Sequence, residues 1–307
     1  MLSEIPERWV AAVDTLAAAD EDAPDVRERW TILQLALSIW PVDATGAPQD
    51  GDDELRDRVI GAMRKSMREA KTHTDWLDPN EDHERAVEDF VRAELRRGTA
   101  CWRALEGLAP DVAWHGALAS LSQVVLKVAS PGVPDIYRGT ELWDLNLVDP
   151  DNRRPYDQEL RTRLVRELAD VDDPAPLFAS WPDGRVKFLT LLRTLDARRS
   201  RPEVFVGGTY EPLAVTGPCA DHVVAFARRS GGDVAVAVVP RATVALSPTG
   251  AIPSAEIWTG TEVRLPSDVT GTLLDRLTRR PIEIRGGSLG THAVLGTFPV
   301  ALLTSWR

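Results

Sequence analysis

The hydrophobic period of this chain changes near Glu203, and no all-helical or all-strand fold accommodates that change. Upstream, apolar residues recur every three to four positions, as on amphipathic helices; Leu55, Val59, Met63 and Met67 form one such series. Downstream they alternate at period two between turns rich in Gly and Pro. His222 to Arg228 and Asp233 to Val239, joined across Ser230-Gly231-Gly232, make the clearest hairpin. Further strands are expected at Glu256 to Trp258, Thr261 to Leu265, Ile282 to Ile284 and Val300 to Leu303. Helices followed by strands imply an α+β, multidomain chain, and 307 residues suffice for two cores. The strand half has the size and spacing of an antiparallel β-sandwich.

The helical half divides further. Trp30 to Trp40 is apolar nearly all round, as in a buried helix, and Pro41 stops it. A loop rich in Gly, Pro and Asp spans 43 to 52. The helix through Leu55 and Met67 ends on Arg64, Lys65, Arg68 and Lys71, cations that suit the negative end of a helix dipole. A third helix is expected over Glu84 to Arg97, with Val87, Phe90, Val91 and Leu95 on one face. Ala117 to Val128 is another apolar helix, closed by Ser130-Pro131-Gly132. Val133 to Tyr137 follows as a short strand with Pro134 at its start. Helices over Gln158 to Leu168 and Val186 to Arg199 complete the stretch. Helix, strand, loop and helix make one unit of an α/β barrel, which one unit cannot close. The expected divisions are therefore 1–110, 111–202 and 203–307.

Charge and composition narrow the partners. Thirty-six basic against 47 acidic side chains give a net charge of -11, opposite to the basic face that nucleic acid requires. Two cysteines, Cys101 and Cys219, suggest neither a disulfide framework nor a metal site. The first residues carry Glu4, Glu7 and Arg8 and lack a signal-peptide core. No apolar run suggests a membrane span of about 18 residues, so a cytoplasmic chain without nucleic-acid or membrane partners is expected. His115, His222 and His292 have no ligand spacing, and no phosphate loop is present, so neither metal nor cofactor is expected. Ten Trp against six Phe and three Tyr is unusual. Trp faces suit the C–H faces of sugars, yet Trp is equally a core residue.

Two segments concentrate chemistry. Pro131-Gly-Val-Pro-Asp-Ile-Tyr-Arg-Gly-Thr-Glu141 is followed by Asp149-Pro-Asp-Asn-Arg-Arg-Pro155. Gly139 permits a tight bend. Glu141, Asp149, Asp151 and Asn152 suit hydrogen bonds with sugar hydroxyls, while Arg153 and Arg154 can fork onto those acids or onto substrate oxygens. Equally, the acids and arginines can pair with one another to fix the loop. In Arg68 to Asn80, Lys71, His73 and Thr74 offer donors and Trp76 a stacking face. The alternative there is an ordinary turn at Asp78-Pro79-Asn80, with His73 capping the helix.

The first of these segments resembles the end of the catalytic barrel in the alpha-amylase superfamily. The second resembles maltooligosyltrehalose synthases in particular, with Asp75 standing where those proteins tend to have Ser. Leu2 to Trp9 is similar to the stretch after that family's seventh barrel strand. The resemblance implies a helical insert plus the last unit of a (β/α)8 barrel, followed by the β-sandwich. It implies an intramolecular transglucosylase that turns the reducing-end α-1,4 linkage of a maltooligosaccharide into the α,α-1,1 linkage of trehalose by the retaining route. The catalytic acids would then precede residue 1, in an N-terminal barrel part of the same protein, leaving this chain inactive alone. The implied substrate-binding residues are Lys71, His73, Thr74, Trp76, Glu141, Asp149, Asn152, Arg153 and Arg154, facing a maltooligosaccharide or linear α-1,4-glucan. Two alternatives stay open: another alpha-amylase-superfamily glycosidase or trehalose-forming isomerase, or a non-catalytic glucan-binding module using exposed Trp such as Trp258.

Overall fold

The computed structural model describes residues 2–16, 24–41 and 52–306. The expected Gly/Pro/Asp loop lies, but for Asp52, outside them. The chain packs as two compact units, Met1–Ala113 with Leu145–Pro155, and Trp114–Asp144 with Tyr156–Arg307.

The first unit is helical: α1 (Pro6–Asp14), α2 (Val26–Ser38), α3 (Asp52–Ala70), α4 (Glu81–Glu94) and the first part of α5 (Ala100–Ala129). A capping box starts α2, with the Asp25 side chain accepting from the N–H of Arg27 and Glu28 while Glu28 accepts from Asp25 N–H. The α3 series Leu55, Val59, Met63 and Met67 is buried throughout, against Ile32, Leu33 and Ala36 of α2 and Val87 and Val91 of α4, which are equally dry. Trp40 and Trp102 pack with centroids 4.6 Å apart and planes inclined by 54°. Helix α4 begins three residues earlier than its apolar face implies, because Asn80 caps it by accepting His83 N–H at 3.1 Å.

Helix α5 corrects the sequence reading twice. It starts at Ala100 rather than near Ala117, with Pro110 inside it. By length and composition it is apolar enough to cross a membrane, although no such run was expected; 56% of its apolar window is buried inside the protein.

The second unit holds the rest of α5, then α6 (Gln158–Ala169), α7 (Arg185–Ser200) and α8 (Pro202–Phe205). Its strands are β1 (Thr209–Pro212), β2 (Val215–Thr216), β3 (Val223–Ser230), β4 (Asp233–Pro240), β5 (Glu262–Arg264), β6 (Thr272–Asp275), β7 (Pro281–Glu283) and β8 (Ser288–Gly290). A one-turn helix α9 (Thr291–Leu295) precedes β9 (Ala301–Thr304). One sheet runs β1-β3-β4-β9-β6-β7 and a second runs β2-β5-β8, every pairing antiparallel. The expected hairpin is β3–β4, with Ser230 opposite Asp233 and a positive φ of 59° at Gly231.

The alternation in β4 is one of size rather than polarity. Val234, Val236 and Val238 join a cluster with Val263 and Leu289 of the smaller sheet. Ala235, Ala237 and Val239 face Leu121 and Val125 of α5, Val186 of α7 and Phe205 of α8. The larger sheet is therefore covered on both faces, by strands on one and by helices on the other, and residues on either side of position 203 share one core. A Cβ at Gly208 would stand 2.1 Å from the Val204 carbonyl, so glycine permits the close approach of β1 to α8.

Two strand expectations fail. Residues 133–137 belong to no sheet. Buried backbone carbonyls need donors, and side-chain cations reach one carbonyl inside the segment, that of Asp135, and three beside it. Arg198 donates to Gly132 O, Lys127 to Asp135 O, Arg161 to Gly139 O and Lys187 to Leu142 O. Residues 256–258 lie in a turn instead, and Trp258 is 1% exposed inside the inter-sheet cluster.

Candidate functional site

Both chemistry-bearing segments of the first unit hang on α3, one at its C-terminal end and one along its flank. At the end, Lys71 follows the last helical residue with φ at 55°. A left-handed residue here is usually glycine, and the Cβ makes lysine costlier by roughly 1–2 kcal/mol. The Lys71 side chain is exposed and makes no hydrogen bond among the described residues. A strained residue presenting an exposed cation is a candidate for function.

The turn beyond is braced from inside. Thr74 is 5% exposed. Its hydroxyl donates to Glu84 Oε1 at 2.8 Å and accepts Asn80 N–H at 2.9 Å, which leaves it no role as a surface donor. Glu84 also takes both arms of Arg68, at 2.7 and 2.8 Å. The hydrogen bond from Arg68 is the main reason its carboxyl lies below the usual range, followed by that from Thr74, against the opposing effect of burial. Asp75 Oδ1 accepts from the N–H of Leu77 and Asp78, at 2.6 and 2.8 Å, and so builds the turn itself. Trp76 is 54% exposed, with the Arg68 guanidinium 5.0 Å from its ring centre. The other nine tryptophans are buried or half-buried. His73 caps no helix of its own; its Nε2 lies 3.1 Å from Asp25 Oδ2.

Along the flank, Glu54, Arg58, Ala62 and Lys65 share one face of α3, beside its buried series. Arg58 clasps Asp151 with contacts of 2.9 and 2.8 Å, and Lys65 donates to Asp149 O at 3.1 Å. Asp151 also accepts Leu147 N–H at 2.7 Å. Burial pushes the Asp151 carboxyl up, but its bonds to Arg58 and Leu147 outweigh that and hold it low. Arg154 pairs with Glu54, and Arg153 with Asp149. Asn152 keeps a buried side-chain oxygen without a hydrogen-bond partner. A cleft of about 650 Å³ opens here, lined by Glu54, Asp57, Arg58, Gly61, Val148, Pro150, Asp151 and Arg154. The pairing of acids with arginines, left open by the sequence, describes this loop, although Arg58 and Glu54 of α3 supply half of it.

Glu141 belongs to the second unit and is described there. Arg161 of α6 donates to it at 2.9 Å, donates to Gly139 O at 2.8 Å, and lies 5.0 Å from the Tyr156 ring centre. Gly139 has φ at 93°, while a Cβ would come no closer than 3.7 Å to a neighbour. The backbone conformation, not crowding, calls for glycine.

The sequence reading gave Lys65 and Arg68 only a helix-dipole role and missed Arg58, Glu84 and His83. The signal for the three on α3 was polar residues at helical spacing away from Leu55, Val59, Met63 and Met67, and none marked Glu84 and His83 of α4. Their partners lie too far along the chain for spacing to disclose.

No protein-family model matches the chain. A putative maltooligosyl trehalose synthase of Mycobacterium tuberculosis (strain CDC 1551 / Oshkosh) is 36% identical over 280 residues, 91% of this chain and 32% of the relative. Among solved structures, maltooligosyltrehalose synthase from Arthrobacter ramosus matches at 30% identity with a TM-score of 0.76, over 98% of this chain and 35% of that one. A further crystal structure of a maltooligosyl trehalose synthase has a TM-score of 0.71 at 22% identity, over 99% of this chain and 36% of that one, and supports the fold alone. The chain spans about a third of the length of these proteins. Over that third, its sequence and its fold are similar to those of a putative maltooligosyl trehalose synthase and of the maltooligosyltrehalose synthase from Arthrobacter ramosus.

Proposed function

We propose that this chain is the substrate-holding part of an enzyme that converts the reducing-end α-1,4 linkage of a maltooligosaccharide into the α,α-1,1 linkage of trehalose. The observation that carries the reading is the 36% identity to a putative maltooligosyl trehalose synthase across 91% of the chain. The local geometry agrees with it. The exposed tryptophan of the chain, Trp76, lies five residues from a strained, exposed Lys71 on one turn. A flat ring face and a cation suit the apolar and hydroxylated sides of a glucose unit.

In this reading residues 111–202 are the closing segment of an α/β barrel, and the two sheets are its C-terminal appendage. An isomerase must keep the released glucose until it attacks the glucosyl-enzyme, so water has to be excluded at the reducing end. The α3 turn supplies part of that wall through Lys71 and Trp76. The paired loop residues Asp149, Arg153 and Arg154 shape the rim. Thr74 holds the turn. The nucleophile, the acid/base and the supporting acid of the retaining route would come from another part of the enzyme.

Incubation with maltopentaose, followed by NMR for an α,α-1,1 linkage, tests the division of labour. The 307-residue chain alone is expected to give no such product. Robust turnover by the chain alone would overturn it. The glucan-binding module built on Trp258 is disfavoured, because that ring is sealed between the sheets.

A further inference from the structure

Two histidines and a carboxylate from three separate elements converge beside the Lys71 turn. His83, in the first turn of α4, stacks on His73 with ring centroids 4.6 Å apart and planes inclined by 34°. Each imidazole turns Nε2 toward a carboxylate of the α2 capping box. His73 meets Asp25 Oδ2 at 3.1 Å, and His83 meets Glu28 Oε1 at 2.9 Å. The second oxygen of each carboxylate is spent on the box. Asp25 Oδ1 accepts from the N–H of Arg27 and Glu28, while Glu28 Oε2 accepts from Asp25 N–H. The helix start therefore fixes two carboxylates with one oxygen each aimed at an imidazole.

One ligating atom from each of Glu28, His73 and His83 lies within 4.8 Å of the other two. In a tetrahedral zinc site, bonds of about 2.0–2.2 Å place ligand atoms roughly 3.3–3.6 Å apart. A modest rotation of the imidazoles would bring the three atoms onto one ion. The side chains of Glu28 and His83 are 11% and 21% exposed, and His73 is 39% exposed, so the cluster is reachable from solvent at His73.

We propose that Glu28, His73 and His83 form a binding site for a divalent transition cation of the zinc class. Two imidazoles and one carboxylate are a donor set suited to that class and leave a fourth position for water. Hydrogen bonds that orient ligands from behind are a recurring part of metal sites, and the capping box plays that part for Glu28. Asp25 Oδ2, relieved of His73, stands ready to accept a hydrogen bond from the water. The cation would fasten the start of α2, the turn after α3 and the start of α4 to one another. This proposal does not depend on the glucan reading.

The test uses the full chain, stripped with a chelator and titrated with Zn2+ by calorimetry and with Co2+ by visible absorption. One Zn2+ per chain is expected, with a Tm higher by a few degrees at about a hundredfold excess over Kd, and Co2+ should show the bands of a tetrahedral site. Glu28→Gln keeps the capping box, because a glutamine oxygen accepts the same N–H. It and His83→Gln should leave the metal-free Tm close to the parent. Each should weaken binding by more than the roughly 10–100-fold that outer-shell changes cost. His222→Gln, in the second unit, should change nothing. No saturable binding, or affinity indifferent to both Glu28→Gln and His83→Gln, or an equal loss in His222→Gln, would overturn the site and leave two histidine–carboxylate hydrogen bonds.

Discussion

Lys71 occupies a backbone conformation that lysine does not favour, with φ at 55°, and its side chain makes no compensating bond among the described residues. Lys71→Gly is therefore expected to stabilise the protein by about 1 kcal/mol, seen as a higher urea midpoint, while weakening glucan binding. An unchanged or lower midpoint would show that the position is not strained. Thr74 gives the opposite result. Thr74→Val removes a bond to a carboxylate and orphans Asn80 N–H, and should cost about 1.5–3 kcal/mol. Trp76 has little to lose on folding at 54% exposure. Trp76→Ala should keep the parent Tm yet lower maltooligosaccharide affinity about three- to tenfold, the range of an aromatic stacking contribution.

Helix α3 organises the first unit by dividing its faces. Its apolar face, Leu55 to Met67, was legible in the sequence because burial imposes a period. Its polar face was legible only as a solvated surface, since nothing local announces that Arg58 meets Asp151 93 positions later. Both side chains are largely buried, 17% and 14% exposed. Arg58→Ala strands the carboxylate and should cost about 3 kcal/mol, with faster proteolytic cleavage within residues 145–155. Glu84 and Asp151 both have carboxyls held below their ordinary values, 4.5 and 3.8. Their contribution is thus fully present above those values and lost as pH falls through the lowered folded ones. The urea midpoint should drop steeply below about pH 4, and Glu84→Gln should flatten part of that drop. A pH-independent midpoint in the parent would contradict these pairs.

At the scale of the whole molecule, the sequence disclosed helices before strands but placed a boundary at residue 203 where a shared core stands. The reason is that β4 carries Val and Ala alternately, so its period reports two buried faces of different depth, not one buried and one wet. The segment after α5 read as a strand from its Val-Pro-Asp-Ile-Tyr composition. Lysine and arginine side chains from three helices instead meet its Asp135 carbonyl and those of its neighbours Gly132, Gly139 and Leu142, contacts that no pattern in the sequence discloses. Conversely, the ten tryptophans could not be sorted by sequence, and burial sorts them to one exposed ring. The central claim, that the turn after α3 grips a glucan, is tested most directly by affinity electrophoresis of the chain in amylose gels. Amylose is expected to retard the parent, and to retard Lys71→Ala and Trp76→Ala measurably less at unchanged Tm. A parent that amylose does not retard, or retardation unchanged by either substitution, would contradict it.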